Sequence, residues 1–549
     1  MVTGEKVAAR HGEARVAGGG VGRASVLMAG GTVVSRASGL VRQVLQGAAL
    51  GTGLLATTYN TANTVPTSLY TLLIGGALNS VLVPQLVRAR ATHADGGRAY
   101  EQRLVTLVLS VLAVGTVLAV WAAPEIVTLY VRDTPKEHDA FRLTVVFARF
   151  LLPQIFFYGL FAIYGQVLNA REKFGAMMWT PVLNNVVLVA MFGIYLGMMT
   201  VPDSVADVTG TQVRWLGVGT TLGIAVQALA LVPFARAAGF RFRPRFDWRG
   251  AGLGSGIHAA KWTLLFVLTN LVGLTVVTNF ATAADTRLPK AGVGYTAYST
   301  AQTIWMLPQS IVTVSLVTAL LPRMSKAAAE GRIGDLRADL SRALRVSGVV
   351  IVPAAFLFTA LGPDIAVLLF GHGAADPATA RPLGHMLQAF GLGLIPFSAQ
   401  YLLLRGFYAF EDTRTPFFMA VWTQAVNIAL ATACHLLLPT RWAVTGMAGA
   451  YAVSYVVGLV LTARLLARRT GGWLDDGTLR RTYVRLLCAG GGGAVAGWAA
   501  ARGCAGVLGH GTAGALLTTV VGTLALALGY LLLGKALKIG ELRGIPGLG

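Results

Sequence analysis

Charge is scarce in this chain, and acid is scarcest of all. Of 549 residues only 12% are charged, and just 23 are Asp or Glu. An ordinary soluble domain carries about twice that share of charge. With 55% of the residues hydrophobic, a polar shell able to cover so large a core cannot be assembled. Lipid must therefore solvate much of the surface. Cysteine is also rare. Cys434, Cys488 and Cys504 fall in or beside apolar runs without metal-ligand spacing, so neither a disulfide framework nor a cysteine metal site is expected. No phosphate-binding glycine loop, zinc spacing or nucleophile elbow is present. ATP-driven transport within the chain has no residues to rest on, and no cofactor, metal or catalytic residue is expected. Acids placed for metal or base chemistry are few as well, which disfavours an integral-membrane glycosyltransferase.

What the sequence does have is apolar runs, each close to the roughly 20 residues that span a bilayer core as a helix. Fourteen such runs follow one another between residues 24 and 534. The expected fold class is therefore all-α, a polytopic membrane protein of about fourteen transmembrane helices. The 67 glycines agree, because glycine is commoner in membrane helices than in soluble ones. Residues 1–23 read as a disordered basic tail rather than a cleaved signal, since the apolar run after Arg23 continues past Arg36 to Leu50. Pro66 and Pro308 interrupt the second and eighth spans and predict kinks there.

The placement of basic residues accounts for the net charge of +22. With the N-terminus in the cytoplasm, 33 of the 45 Lys and Arg residues fall on cytoplasmic segments and nine on external ones. This is a strong positive-inside pattern, with both termini cytoplasmic. The basic loops would lie against anionic headgroups, so membrane lipids are expected partners and nucleic acid is not.

The chain also repeats. Leu82-Val83-Pro84 ends the second span and Leu321-Pro322 the eighth, with the prolines 238 residues apart. Ala170 and Ala409, then Glu172 and Glu411, are each 239 apart. A period of six spans preserves orientation, so the halves are parallel repeats about an axis along the membrane normal. The expected division is a six-helix lobe over 24–240, a second over 250–470, two additional helices over 480–536, and a cytoplasmic tail over 537–549. Two lobes around a midplane cavity suit an alternating-access transporter.

Three basic residues lie inside spans: Arg36 and Arg42 in the first, Arg149 in the fourth. An arginine in hydrocarbon normally faces a cavity or a partner. No acid sits clearly inside a span, so an anionic ligand is the expected partner, and a guanidinium fork matches phosphate oxygens. Snorkelling or backbone bonding is the alternative, strongest for Arg149. Six positions turn a helix by about 240°, so an unbent first helix would not put Arg36 and Arg42 on one face. The second span is too polar to face lipid, with Thr58, Asn60, Thr61, Asn63, Thr64, Thr67 and Ser68. The eighth, its counterpart, carries Thr300, Gln302, Thr303 and Gln309. A cavity lined by both is the preferred reading, with Asn63 and Gln302 as weaker polar contacts. Polar glue between helices is the other.

The run Ser35-Arg36-Ala37-Ser38-Gly39-Leu40-Val41-Arg42, followed by Ala62-Asn63-Thr64-Val65-Pro66 and Gly75-Gly76-Ala77-Leu78, resembles the start of the lipid II flippase (MurJ/MviN) family. Leu307-Pro308 through Leu321-Pro322-Arg323-Met324-Ser325 resembles that family's eighth helix. The resemblance implies a member of the multidrug/oligosaccharidyl-lipid/polysaccharide exporter superfamily. Such a protein moves the undecaprenyl-pyrophosphate-linked peptidoglycan precursor from the inner to the outer leaflet. It implies that Arg36 and Arg42 are cavity arginines suited to a pyrophosphate, and that the last two helices help form a lipid-tail groove. It also exposes departures. Tyr70 and Thr303 stand where many members carry arginine, and Thr57 where they carry an acid. The intramembrane acids proposed to hold sodium in some members are not found. Two alternatives thus stay open, an exporter of another polyprenyl-linked glycan and a non-transporting scaffold working with cell-wall synthesis proteins.

Overall fold

The computed structural model describes residues 30–72, 95, 97–132, 134–135, 138–171, 173, 175–200, 202, 205–247, 253–474, 477–508 and 512–544. The N-terminal tail, the end of the second span with Gly75, Gly76 and Pro84, and the last five residues lie outside these. All regular structure among the described residues is helical. Helix α1 covers 30–50. It is followed by α2 (Leu54–Leu72), α3 (Arg98–Trp121), α4 (His138–Leu151), α5 (Gln154–Asn169), α6 (Gly175–Met198), α7 (Gly210–Leu229) and the short α8 (Leu231–Ala237). The second half continues with α9 (Leu253–Arg287), α10 (Tyr295–Pro308), α11 (Val314–Ala329), α12 (Ile333–Phe370), α13 (Pro377–Gly391), α14 (Leu394–Ala409), α15 (Arg414–Leu437) and α16 (Thr440–Thr470). Helices α17 (Thr478–Leu508) and α18 (Thr512–Ala536) close the chain.

Ten of these helical stretches are long and apolar enough to cross a membrane, or twelve when each of two bent pairs is one span. Helices α1 and α2 stand outside that set, because Arg36, Arg42 and the threonine- and asparagine-rich run dilute their apolar character. The expected count of fourteen is therefore not reached on length and apolarity alone. Lipid-facing positions are plain on α3, where Val111, Val114, Val117, Leu118 and Trp121 are exposed.

The six-helix repeat is written into the element ends. Helices α4, α5 and α6 begin at 138, 154 and 175; α13, α14 and α15 begin at 377, 394 and 414, a shift of 239 or 240 each time. Even the turns match: the Lys173 amide donates to the Leu168 carbonyl, and the Asp412 amide to that of Phe407. Both copies break, at Leu152–Pro153 and at Leu392–Gly393, the second with a 50° bend. Hydropathy runs unbroken over 143–169 and 382–409, and only Pro153 and Gly393 mark these breaks in the sequence.

The prolines behave differently from the expectation. Pro66 lies inside an uninterrupted α2. Pro308 precedes a π-helical turn over Gln309–Thr313, and the 44° bend comes only after Val317. That position is four residues before Pro322, where a proline ring meets the preceding turn's carbonyl.

Two buried apolar clusters draw only on residues 49–240, and three only on residues 277–542. Helix α1 bridges them: Leu45 packs on a first-half cluster, Leu40 and Val44 on a second-half one. The last two helices lie against each other through small residues. A Cβ at Gly497 would come within 2.7 Å of the Gly522 carbonyl oxygen, so the backbones are in contact.

Candidate functional site

Helix α2 places one polar side chain every three or four residues: Thr57, Asn60 and Thr61, Thr64, Thr67 and Ser68, Thr71. At 3.6 residues per turn these form one stripe. The first half of the stripe bonds to α9 and α10. Thr64 Oγ1 and the Tyr295 hydroxyl are 2.7 Å apart, and Asn60 Nδ2 donates to Thr296 Oγ1 at 2.9 Å. Thr57 donates to the Asp285 carboxylate and lies 3.1 Å from Thr296 Oγ1. Gln46 of α1 joins the set by donating to Asn60 Oδ1 at 2.7 Å. The second half of the stripe, from Thr67 to Thr71, bonds to no described residue across the gap and lines open space.

Beyond Thr57 the two halves meet backbone to backbone. The Ala374 amide donates to the Ala48 carbonyl at 2.7 Å, and the Leu54 amide to that of Pro289 at 3.2 Å. Small residues allow this approach. A Cβ at Gly53 would sit 2.5 Å from the Pro289 oxygen, and one at Gly373 would sit 2.5 Å from that of Ala48. Gly373 also has φ +72°, which side chains other than glycine's rarely adopt. This glycine end is a seal between the halves.

Behind the seal lie three chambers that share lining residues. A small one of about 120 Å³ is lined by Arg42, Gln46, Asn60, Asn63 and Thr303. A second, about 370 Å³, is lined by Arg36, Gly39, Arg42, Tyr70, Asn185 and Thr303. A third, about 650 Å³, is lined by α2, α9, α10, α15 and α16, including Asn63, Gln302 and Thr303. The structure thus brings together Arg36, Arg42, Asn63 and Gln302. Gln302 is bonded to Tyr451, and Asn63 Oδ1 is buried without a hydrogen bond.

Arg149 does not join them. It is exposed on the same face of α4 as Arg142 and Val146, while Thr144, Val145, Ala148 and Leu151 face the core. None of the three chambers includes it.

The two arginines of α1 share a chamber although the helix is unbroken. Measured from Gly39, Arg36 lies about 60° to one side and Arg42 about 60° to the other. Gly39 has no side chain to fill the space between them, so the two long side chains flank one stripe. Neither arginine pairs with a carboxylate among the described residues, and Arg42 Nε is buried without a hydrogen bond. Tyr70 and Thr303 also face this chamber. Tyr70 stacks on Tyr158 with ring centroids 4.4 Å apart, and the Thr303 hydroxyl donates to the Ser299 carbonyl.

The expectation that no acid sits clearly inside a span meets one exception in Asp285, within the apolar helical stretch Lys261–Arg287. It is fully buried near the end of α9, and its Oδ1 has no hydrogen bond. A Cβ on Gly294 would collide with this carboxylate, so the acid occupies the room that glycine leaves. The apolar run over 257–282 ends three residues short of it, which is why hydropathy placed Asp285 in a loop.

At the opposite end, the ion pairs seen among the described residues stay within each half. Glu101 and Arg171 form a buried pair, and Arg171 also donates to the Ala238 carbonyl at 2.6 Å. The Arg103 guanidinium beside Asp247 holds that carboxyl below the usual carboxylate range. Arg323 and Asp339 make a further pair.

The family model described as "Lipid II flippase MurJ" matches residues 47–502. A "Probable lipid II flippase MurJ" of Rhizobium meliloti (strain 1021) is 31% identical over 469 residues, covering 84% of this chain and 83% of that one. A "Lipid II flippase MurJ" of Burkholderia cenocepacia is 27% identical, covering 85% and 87%. Among solved structures, "Lipid II flippase MurJ, inward closed conformation" superposes with TM-score 0.72 at 17% identity, over 93% of this chain and 100% of that one. An inward-facing multidrug transporter of the MATE family gives TM-score 0.61 at 14% identity, over 83% and 99%. These last two are likenesses of fold. The family match begins after Arg36 and Arg42, so the role of those residues rests on the geometry above.

Proposed function

The chain belongs to the lipid II flippase MurJ family, and on that premise we propose that it carries the undecaprenyl-pyrophosphate-linked peptidoglycan precursor from the inner to the outer leaflet by alternating access. It acts as a transporter and not as an enzyme. The observation that carries this reading is a pair of arginines, Arg36 and Arg42, facing one chamber between the halves without a carboxylate partner among the described residues. Two such charges on one chamber, Arg42 half-buried and Arg36 exposed, favour an anion, and a pyrophosphate offers oxygens to both guanidinium forks.

The halves, 24–240 and 250–470, move as two lobes, with 480–536 appended to the second. Both termini are cytoplasmic, so the basic end faces the cytoplasm and the glycine end the exterior. With the exterior sealed, this conformer receives substrate from inside. The loaded carrier is near neutral, because pyrophosphate offsets the arginines. The empty carrier is positive, and a membrane potential negative inside draws it back inward with up to roughly 2.3 kcal/mol per charge per 100 mV. Lipids cover the exposed apolar faces, and the proteins that consume the flipped precursor are the expected protein partners.

Reconstitution in vesicles containing lipid II tests this. Replacing both Arg36 and Arg42 by Ala removes two charge-assisted contacts, which should slow translocation by about 10- to 100-fold. Translocation at the unaltered rate would overturn the site.

A further inference from the structure

Outside the cavity between the halves, the first half carries a groove of its own. It lies between α4 and α7 and holds about 570 Å³. Leu143, Val146 and Phe150 of α4 form one wall, and Val213 of α7 stands in the other. The short turn over Val205–Asp207 adds Val205 to the lining. The groove closes at its inner end, where a Cβ on Gly217 would lie 2.5 Å from Phe150 Cβ and the two helices touch. Asp139 and Val205 also line the recess beside the glycine seal, which places the mouth of the groove at that end.

Two arginines flank this mouth. Arg142 of α4 and Arg214 of α7 both line the groove and are exposed. Arg214 Nε donates to the Gly210 carbonyl at 3.1 Å, which leaves both terminal nitrogens to other partners. Arg149 lies on the same exposed face of α4, about two turns beyond Arg142. Helical side chains lean toward the helix N-terminus, so the Arg149 guanidinium reaches back toward Arg142. Among the described residues no ion pair engages any of the three, and Asp139 at the mouth pairs with none of them. Two of the nine basic residues on the external segments thus meet at one groove.

An arginine on a membrane-facing surface calls for an anion or for water. Guanidinium forks match phosphate oxygens. The apolar walls below them match a hydrocarbon chain, for which a free phosphate has no use. Together they fit a molecule with a phosphate at one end and an acyl chain at the other. We infer that this groove is a binding site for an anionic glycerophospholipid of the outer leaflet. Its phosphate sits between Arg142 and Arg214, and the start of one chain lies against Val146 and Phe150. The site is separate from the transport cavity and stands whichever substrate that cavity carries.

The test uses the full-length protein in phosphatidylcholine vesicles containing a trace of phospholipid with a diazirine near the top of one chain. Crosslinked peptides are then mapped by mass spectrometry. A phosphatidylglycerol probe should label residues 139–150 and 205–214 about tenfold more than a phosphatidylcholine probe with the same chains, because the choline cation opposes the arginines. Arg142→Gln and Arg214→Gln should each reduce phosphatidylglycerol labelling of these segments by about three- to tenfold, the worth of one charge-assisted hydrogen bond, and leave labelling elsewhere unchanged. Val146→Trp keeps both arginines and fills the groove from an exposed position, so it covers the case in which losing an arginine disturbs folding. It should reduce the same labelling to a similar extent. Equal labelling by both probes, or unchanged labelling in the variants, overturns the site. Loss in the arginine variants without loss in Val146→Trp means that the arginines draw anionic lipid diffusely, and overturns it as well. If inorganic phosphate displaces the phosphatidylglycerol probe, the arginines hold a free anion and the lipid assignment falls.

Discussion

The two ends of the central cavity are closed and opened by different chemistry. At the glycine end the halves meet through carbonyls, amides, hydroxyls and one buried carboxyl, with Gly53 and Gly373 allowing the contact. At the basic end, arginines are tied to acids of their own half, as in Arg171 with Glu101 and Arg323 with Asp339. A buried interlobe ion pair would be strong when formed and very costly to part, because each charge would be left in low dielectric. Neutral hydrogen bonds contribute about 1 kcal/mol each and are replaced by water on opening. A seal made of them can close firmly in sum and still open on the timescale of transport. Charge is instead kept where it rigidifies each half without joining the two.

The comparison breaks most directly at glycine. Gly53→Val places side-chain atoms where the Pro289 oxygen now sits, and also removes the Leu54–Pro289 bond. Overpacking of about 1–3 kcal/mol plus the lost bond should shift the closed-to-open ratio by about 100-fold. Spin labels at Val205 and Lys290, on the two sides of the recess at this end, would report the change as a longer distance. An unchanged distance distribution would mean that the glycines are not what holds the seal.

Asp285 sharpens the same point with a smaller effect. Asp285→Ala takes away the acceptor of Thr57 and leaves a void against Gly294. Loss of the buried bonds from Thr57 and from the Gly294 and Tyr295 amides should cost about 1–3 kcal/mol, or roughly a tenfold or larger shift toward the open seal by the same labels. Asp285→Asn keeps the shape and an acceptor, and should stay close to the unaltered protein. If Asn opens the seal as far as Ala does, the carboxyl acts by something other than its bond to Thr57.

How much of this could be read in the sequence depends on what each feature requires. The helical class, the basic asymmetry and the six-helix period follow from hydropathy and spacing, and the helix starts at 138, 154 and 175 reproduce the period in 377, 394 and 414. The polar stripe of α2 was visible because threonines and asparagines in an apolar run have few explanations. The 240° between Arg36 and Arg42 keeps them off one face, and they share a chamber because Gly39 leaves room between two long side chains. Arg149 counts as a cavity candidate in the sequence because a position inside a span does not say which face it occupies, and it is exposed. Asp285 was missed because α9 extends beyond its apolar run, and the groove at Arg142 and Arg214 because the meeting of α4 and α7 is tertiary.

The smallest effect expected at the glycine end concerns Asp376. Its carboxylate caps α13, accepting from the Thr379 amide at 2.7 Å, and the Thr379 carbonyl in turn accepts from Thr52 of the other half at 3.1 Å. Bonding to Thr379 holds the Asp376 carboxyl below its ordinary value of 3.8. Because the folded-state value is lowered, the stabilisation is fully present above that ordinary value and is lost as pH falls through the lowered one. Seal populations should therefore be flat with respect to this group from neutrality down to about pH 4, and loosen only below it. The residue is exposed, so its cap contributes about 0.5 kcal/mol at most after solvent screening. Asp376→Ala should reproduce at neutral pH the slight loosening that acid gives the unaltered protein, and should remove any further response below pH 4. A response that persists in the Ala variant would place the acid sensitivity of this end outside the α13 cap.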